Sequence, residues 1–157
     1  LSGTGLRDVS NNLTGIDISE NMVAKARELE VYDHLIVGDI IDIMSTSTEK
    51  YDLFIALDVF VYLGELTTIF KTVRDCCNKN ALFIFSVETQ AEDGYSLLKT
   101  ARYSHSEKYV LKNTSDAFTG TDLNGNMFGE LGTTSPTHFD NGGVASATYL
   151  GLSNADV

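Results

Sequence analysis

Gly15-Ile16-Asp17-Ile18-Ser19-Glu20-Asn21-Met22-Val23-Ala24-Lys25-Ala26 decides the fold. Gly15 to Ile18 is a short apolar strand broken by one acid. Ser19 is a helix N-cap, Glu20 suits the positive end of the helix dipole, and Met22, Ala26 and Leu29 give the apolar stripe of a helix. A strand running directly into an amphipathic helix is the opening of a βαβ unit, whose next strand lies parallel to the first.

The pattern repeats outward from that point. Leu35-Ile36-Val37 is a strand ending at Gly38-Asp39, and a loop is expected after it. Tyr51 to Asp58 is a nearly continuous apolar run flanked by acids, as in a central parallel strand covered on both faces. Leu66, Ile69, Phe70, Val73 and Cys77 fall at helical spacing, Asn78-Lys79-Asn80 is expected to turn the chain, and Ala81 to Val87 is another strand, ending at Glu88. Upstream, Leu6, Val9 and Leu13 predict a helix ending near Asn11 and Asn12. Strands alternating with helices specify an α/β fold with a doubly wound, mostly parallel sheet.

Past Glu88 the pattern weakens. Tyr95 to Tyr103 fits a strand or hairpin, and Ser106 fits the cap of a helix through Val110 and Leu111. All 11 Lys and Arg lie at or before Lys112, and 23 of the last 45 residues are Gly, Ser, Thr or Asn. That composition fits a loop-rich tail. A small β appendage using Met127-Phe128, His138-Phe139 and Ala147 to Leu150 is the alternative. The expected organisation is a partial domain over residues 1–118 and a tail over 119–157.

Bulk properties narrow the function. With 157 residues, 43% of them hydrophobic, the chain suffices for one domain with a real core. A net charge of −11 opposes binding to nucleic acid, which depends on Lys and Arg displacing counterions. The only cysteines, Cys76 and Cys77, are adjacent and unsuited to a loop-closing disulfide, which fits a reducing cytoplasm. No apolar run approaches the roughly 20 residues of a membrane span. Asp122, Asn124 and Asn126 alternate as in a calcium loop, but Thr133 stands where the closing Glu is required, so no metal site is expected.

In a doubly wound sheet, ligands sit at the carboxyl ends of the strands. Asp17, Asp39, Asp58 and Glu88 each stand at or next to such an end. A single acid there is an ordinary solvated turn residue; four in succession point to a site.

The segment 15–26 resembles the second-strand motif of class I S-adenosylmethionine-dependent methyltransferases, and Tyr51 to Tyr62 resembles their fourth-strand motif. Phe83-Ile84-Phe85-Ser86-Val87-Glu88, with Arg102-Tyr103-Ser104-His105-Ser106 downstream, is most similar to the bacterial methyltransferases associated with tetratricopeptide repeats. The resemblance implies that Asp17, with Ile18 beside it, binds the two ribose hydroxyls. A carboxylate suits this, offering two acceptor oxygens to two donors. It implies Met22 against the adenine, although a core position on the helix stripe is equally open. It further implies Asp39 and the Ile40 amide at the adenine edge, and Asp58 and Val59 along the methionine part and its sulfonium. Methyl transfer needs chiefly alignment, so a base is optional; Tyr62 and His105 are the weak candidates.

Gly3-Thr4-Gly5 looks like the family's glycine loop, but spacing argues against it. The ribose acid follows that loop by about 20 residues, whereas Gly5 to Asp17 is 12. The better match makes Gly3 the small residue where the first helix packs on the sheet. The first strand and glycine loop would then lie upstream of Leu1, and the chain would be a fragment with weak cofactor binding or none. The function expected is S-adenosylmethionine-dependent methylation of a small molecule. The alternatives are a noncatalytic module that keeps the sheet and a nicotinamide-dependent oxidoreductase, which also places an acid after its second strand.

Overall fold

The computed structural model describes residues 2–118 and the strands at 127–130, 137–139 and 147–150. It divides into two compact units, Leu1–Ser47 and Thr48–Val157, so the units part within the stretch expected to form one domain. The calcium-like residues Asp122, Asn124, Asn126 and Thr133 lie outside the described residues. No helix among the described residues is long and apolar enough to cross a membrane.

The first unit is a βαβα segment. β1 (Thr14–Asp17) leads into α1 (Glu20–Arg27), then β2 (His34–Val37) and α2 (Ile40–Thr46). β1 and β2 pair in parallel, with Asp17 opposite Val37. Ser19 caps α1 as its residue type requires, its hydroxyl accepting from the Met22 amide at 3.3 Å. The buried face of α1 is Val23 and Ala26. Met22 is 38% exposed, so its expected place on the buried stripe is corrected: Val23, one residue on, faces the strands instead.

Two further expectations for this unit fail. The first helix is absent; Ser2–Gly5 and Arg7–Val9 are separate 3-10 turns, and Val9 is 79% exposed. Leu6 provides no side-chain cap, and two glycines in five residues weaken any α-helix there. The segment is held by other means. Arg7 pairs with Asp33 at 2.8 Å and donates to the Val31 and Ser10 carbonyls. Gly3 does pack closely, but on Tyr32: its amide donates to the Tyr32 hydroxyl at 3.1 Å, and a Cβ there would lie 2.3 Å from the ring. A Cβ on Gly15 would meet the same ring at 3.1 Å, so the tyrosine occupies the space that both glycines leave. The second failure is α2, where a loop was expected. Asp39 caps this helix, accepting from the Ile41 and Asp42 amides at 2.8 and 3.2 Å.

The second unit carries two sheets. β3 (Tyr51–Ala56), β4 (Cys77–Phe85), β10 (Ala147–Leu150), β8 (Met127–Glu130) and β9 (Thr137–Phe139) form one, in that order. β3 pairs in parallel with β4, β4 with β10 and β10 with β8, while β9 is antiparallel. The Gly-rich tail thus supplies strands at the three places open to a β appendage. β5 (Glu88–Gln90), β7 (Tyr103–Ser106) and β6 (Tyr95–Leu97) form the other sheet, in which β6 and β7 make the expected hairpin. Parallel pairing among the described strands is therefore distributed over three sheets: β1–β2, the β3–β4–β10–β8 run and β5–β7.

α3 (Thr67–Asp75) and α4 (Glu107–Phe118) complete the unit. Ser106 caps α4 as expected, its hydroxyl accepting from the Tyr109 amide at 3.1 Å. The core is aromatic: Phe60, Phe70, Phe83 and Phe85 are almost wholly buried, with adjoining ring centres 4.9–6.0 Å apart. Two corrections concern the strands. β3 is not covered on both faces, since Leu53 is 37% exposed. Cys77 opens β4 rather than closing α3, and Asn78 to Ala81 do not form a free turn. The β3–β4 register jumps there, from Tyr51 opposite Cys77 to Leu53 opposite Leu82, and Asn80 takes the left-handed conformation that a bulge allows.

Candidate functional site

In the first unit, the parallel pairing of β1 and β2 brings two acids to one end. Asp17 is the last residue of β1, and its carbonyl accepts from the Gly38 amide at 3.0 Å, next to Asp39. Its Oδ1 accepts from the Ser19 amide at 2.8 Å, which fixes the carboxylate over the start of α1. Oδ2 has no hydrogen-bond partner among the described residues. Asp39 likewise commits Oδ1 to capping α2 and keeps Oδ2 uncommitted. Ile18 and Met22 are exposed at this corner and Ile40 is half-buried. Five of the expected cofactor residues, Asp17, Ile18, Met22, Asp39 and Ile40, therefore share one unit.

In the second unit, Asp58 and Val59 follow β3. Asp58 adopts φ +58°, a left-handed backbone that non-glycine residues seldom take. Its amide donates to the hydroxyl of buried Ser86 at 2.8 Å. Its carboxylate accepts from Arg102 Nη2, and Arg102 Nε lies 3.2 Å from Glu88 Oε2. The hydrogen bond to Asp58, with the charges of Asp58 and Glu88, holds the Arg102 guanidinium even more firmly protonated than usual. Tyr62 is 63% exposed and close enough to contribute to that field. Among the four strand-end acids, Asp58 and Glu88 thus share one arginine. Spacing gave no sign of this link, because 44 residues separate Asp58 from Arg102; only the Arg102 to Ser106 segment, singled out by resemblance, pointed to the region.

His105 is fully buried. Its ring stacks on Tyr109 at 5.9 Å and packs against Tyr95 at 6.0 Å, with Nε2 3.0 Å from the Gly64 carbonyl. Nε2 is therefore the donor, because a carbonyl oxygen only accepts. This placement leaves the ring no exposed face and links β7 to the Gly64 carbonyl. Burial pushes its pKa below 6.5, outweighing the hydrogen bond to Gly64. The unfolded chain, by contrast, takes up a proton near 6.5. The stabilisation from neutral His105 is thus present above pH 6.5 and lost as pH falls below it. Urea melts between pH 7.5 and 5 should show the unsubstituted protein losing stability, by at most about 1.4 kcal/mol per pH unit from this group. In His105→Gln that component should vanish. Asp33 and Asp93, held below the carboxylate range by Arg7 and Lys108, act in a lower window. Equal slopes for both proteins would contradict the assignment.

A methyltransferase-domain family model matches residues 2–85, more than half of the chain. This chain belongs to the class I S-adenosylmethionine-dependent methyltransferase family. The match runs from the first 3-10 turn through β4, so it covers both corners up to Phe85 and ends before Glu88 and Arg102. Membership brings a Rossmann-like fold and a family that generally binds S-adenosylmethionine. No curated protein and no solved structure matches this methyltransferase domain.

Proposed function

We propose that this methyltransferase binds S-adenosylmethionine through Asp17 and methylates a small molecule. The carrying observation is the Asp17 carboxylate, oriented by the Ser19 amide through one oxygen and uncommitted at the other. The chemistry of the remaining donor set fits the cofactor. Asp39 keeps a carboxylate oxygen for an amino group while capping α2, and Met22 offers an exposed apolar side chain for an aromatic face. Bound, the cofactor would supply an electrophilic methyl group on a sulfonium.

This chain's own residues would then orient and hold. In the first unit Asp17 would accept from the ribose hydroxyls, with Asp39 and the Ile40 amide toward the adenine edge; in the second unit, the family resemblance would give Asp58 and Val59 the methionine part. A carboxylate at Asp58 favours a neighbouring cation electrostatically. Tyr62 is the exposed candidate to meet an acceptor, through a hydroxyl that can donate or accept a hydrogen bond; His105 is buried away from such contact. The acidic chain disfavours a nucleic-acid acceptor, which supports a small molecule. The adjacent pair Cys76 and Cys77, unsuited to a loop-closing disulfide, agrees with a cytoplasmic setting. The likeness to methyltransferases found beside tetratricopeptide repeats rests on residues 83–88 and 102–106.

Titration calorimetry with S-adenosylhomocysteine tests the reading. Saturable binding is expected. No heat at millimolar ligand would refute it and favour a noncatalytic module.

A further inference from the structure

We propose that Arg102 is a positioning residue that fixes the Asp58 carboxylate and sets how strongly the protein prefers a cationic sulfonium to a neutral thioether. The inference rests on the reading that Asp58 borders the sulfonium. Its own ground is the geometry of the second unit. Asp58 is held at three points: a left-handed backbone at φ +58°, an amide bonded to the buried Ser86 hydroxyl at 2.8 Å, and a carboxylate bonded to Arg102. A strained backbone of this kind persists only where its surroundings over-determine it. Arg102 cannot swing away freely, because its Nε lies 3.2 Å from the largely buried carboxylate of Glu88. One side chain therefore ties the end of β3 to the first residue of β5.

The charge balance gives the consequence. Two carboxylates and one guanidinium leave this cluster at net −1; without Arg102 it would be −2. Asp58 Oδ2 and Arg102 Nη1 have no hydrogen-bond partner among the described residues, and Arg102 is 34% exposed, so a ligand at this corner would feel both signs. Arg102 therefore weakens the attraction for a sulfonium while leaving a neutral sulfur almost unaffected. That narrows the affinity gap between S-adenosylmethionine and S-adenosylhomocysteine. A purely structural brace would alter both affinities together.

The test is the ratio of the two dissociation constants, measured by calorimetry on the unsubstituted protein and on Arg102→Met, Arg102→Lys and Asp58→Asn. Arg102→Met should shift the ratio toward S-adenosylmethionine by roughly three- to tenfold, the size of one partly solvated charge removed. Arg102→Lys keeps the charge and should restore the original ratio. Asp58→Asn should move it the opposite way. Arg102→Gln keeps a hydrogen-bonding amide without the charge, and replaces Arg102→Met if that variant fails to melt cooperatively. A ratio unmoved by the loss of the charge, with both ligands still binding, overturns this proposal alone. Binding of neither ligand by the unsubstituted protein overturns the cofactor reading and this proposal with it.

Discussion

Phe70→Ala is expected to destabilise the second unit by about 3–5 kcal/mol, the usual cost of deleting a buried phenylalanine ring. Phe70 has no exposed surface, and its ring centre lies 5.8 Å from Phe60, 5.8 Å from Phe83 and 5.2 Å from Phe85. Those neighbours come from different elements: Phe60 from the 3-10 turn after β3, Phe83 and Phe85 from β4. No single rotamer change can close the space, so the cavity term adds to the lost burial. A domain of this size is stable by only about 5–15 kcal/mol, and the substitution removes a large share. Urea unfolding followed by far-UV circular dichroism should show a much lower midpoint. Leu53→Ala, at a 37% exposed position of β3, is the control and should cost well under half as much. A Phe70→Ala effect no larger than the control would contradict the packing.

The same contrast explains what the sequence revealed. α3 was legible because Leu66, Ile69, Phe70 and Val73 are all core residues, so the periodicity and the burial are one fact. α1 was legible from its cap, since Ser19 and Glu20 mark a start whatever follows. The region before β1 misled for the converse reason. Leu6, Val9 and Leu13 have helical spacing, but Val9 is exposed and the other two only half-buried, and Gly3 and Gly15 serve the Tyr32 ring rather than a helix. α2 was missed because Asp39 was read only as a strand-end acid. It is a cap as well, and seven residues containing two Ser/Thr give little helical signal. The bulge in β4 hid behind Asn78-Lys79-Asn80, whose composition favours a turn, whereas pairing with β3 at Cys77 and again at Leu82 holds the segment within one strand. Of the site, the acids were legible singly. Their partners were not: Arg102 reaches Asp58 and Glu88 from a distant segment, and no local pattern encodes such a pair.

Asp17→Ala should weaken S-adenosylhomocysteine binding by about 100-fold or more. The size follows from the bonds proposed. Two ribose hydroxyls donating to one carboxylate make two charge-assisted hydrogen bonds, worth roughly 1.5–3 kcal/mol each, and each 1.4 kcal/mol is tenfold. Part of the loss would be indirect, because alanine also frees the Ser19 amide that Asp17 now holds at 2.8 Å. Asp17→Asn separates the two contributions. Its amide oxygen can still accept from Ser19 and keep the turn, while its NH2 replaces one acceptor and its charge is gone. About a tenfold loss is expected for Asn, with unchanged thermal stability. A loss of affinity for Ala with none for Asn would mean that the carboxylate acts through the turn rather than on the ligand. Affinity unchanged in both would remove Asp17 from the site and leave Asp39, whose free oxygen lies beside it at the end of β2, as the acid to test next.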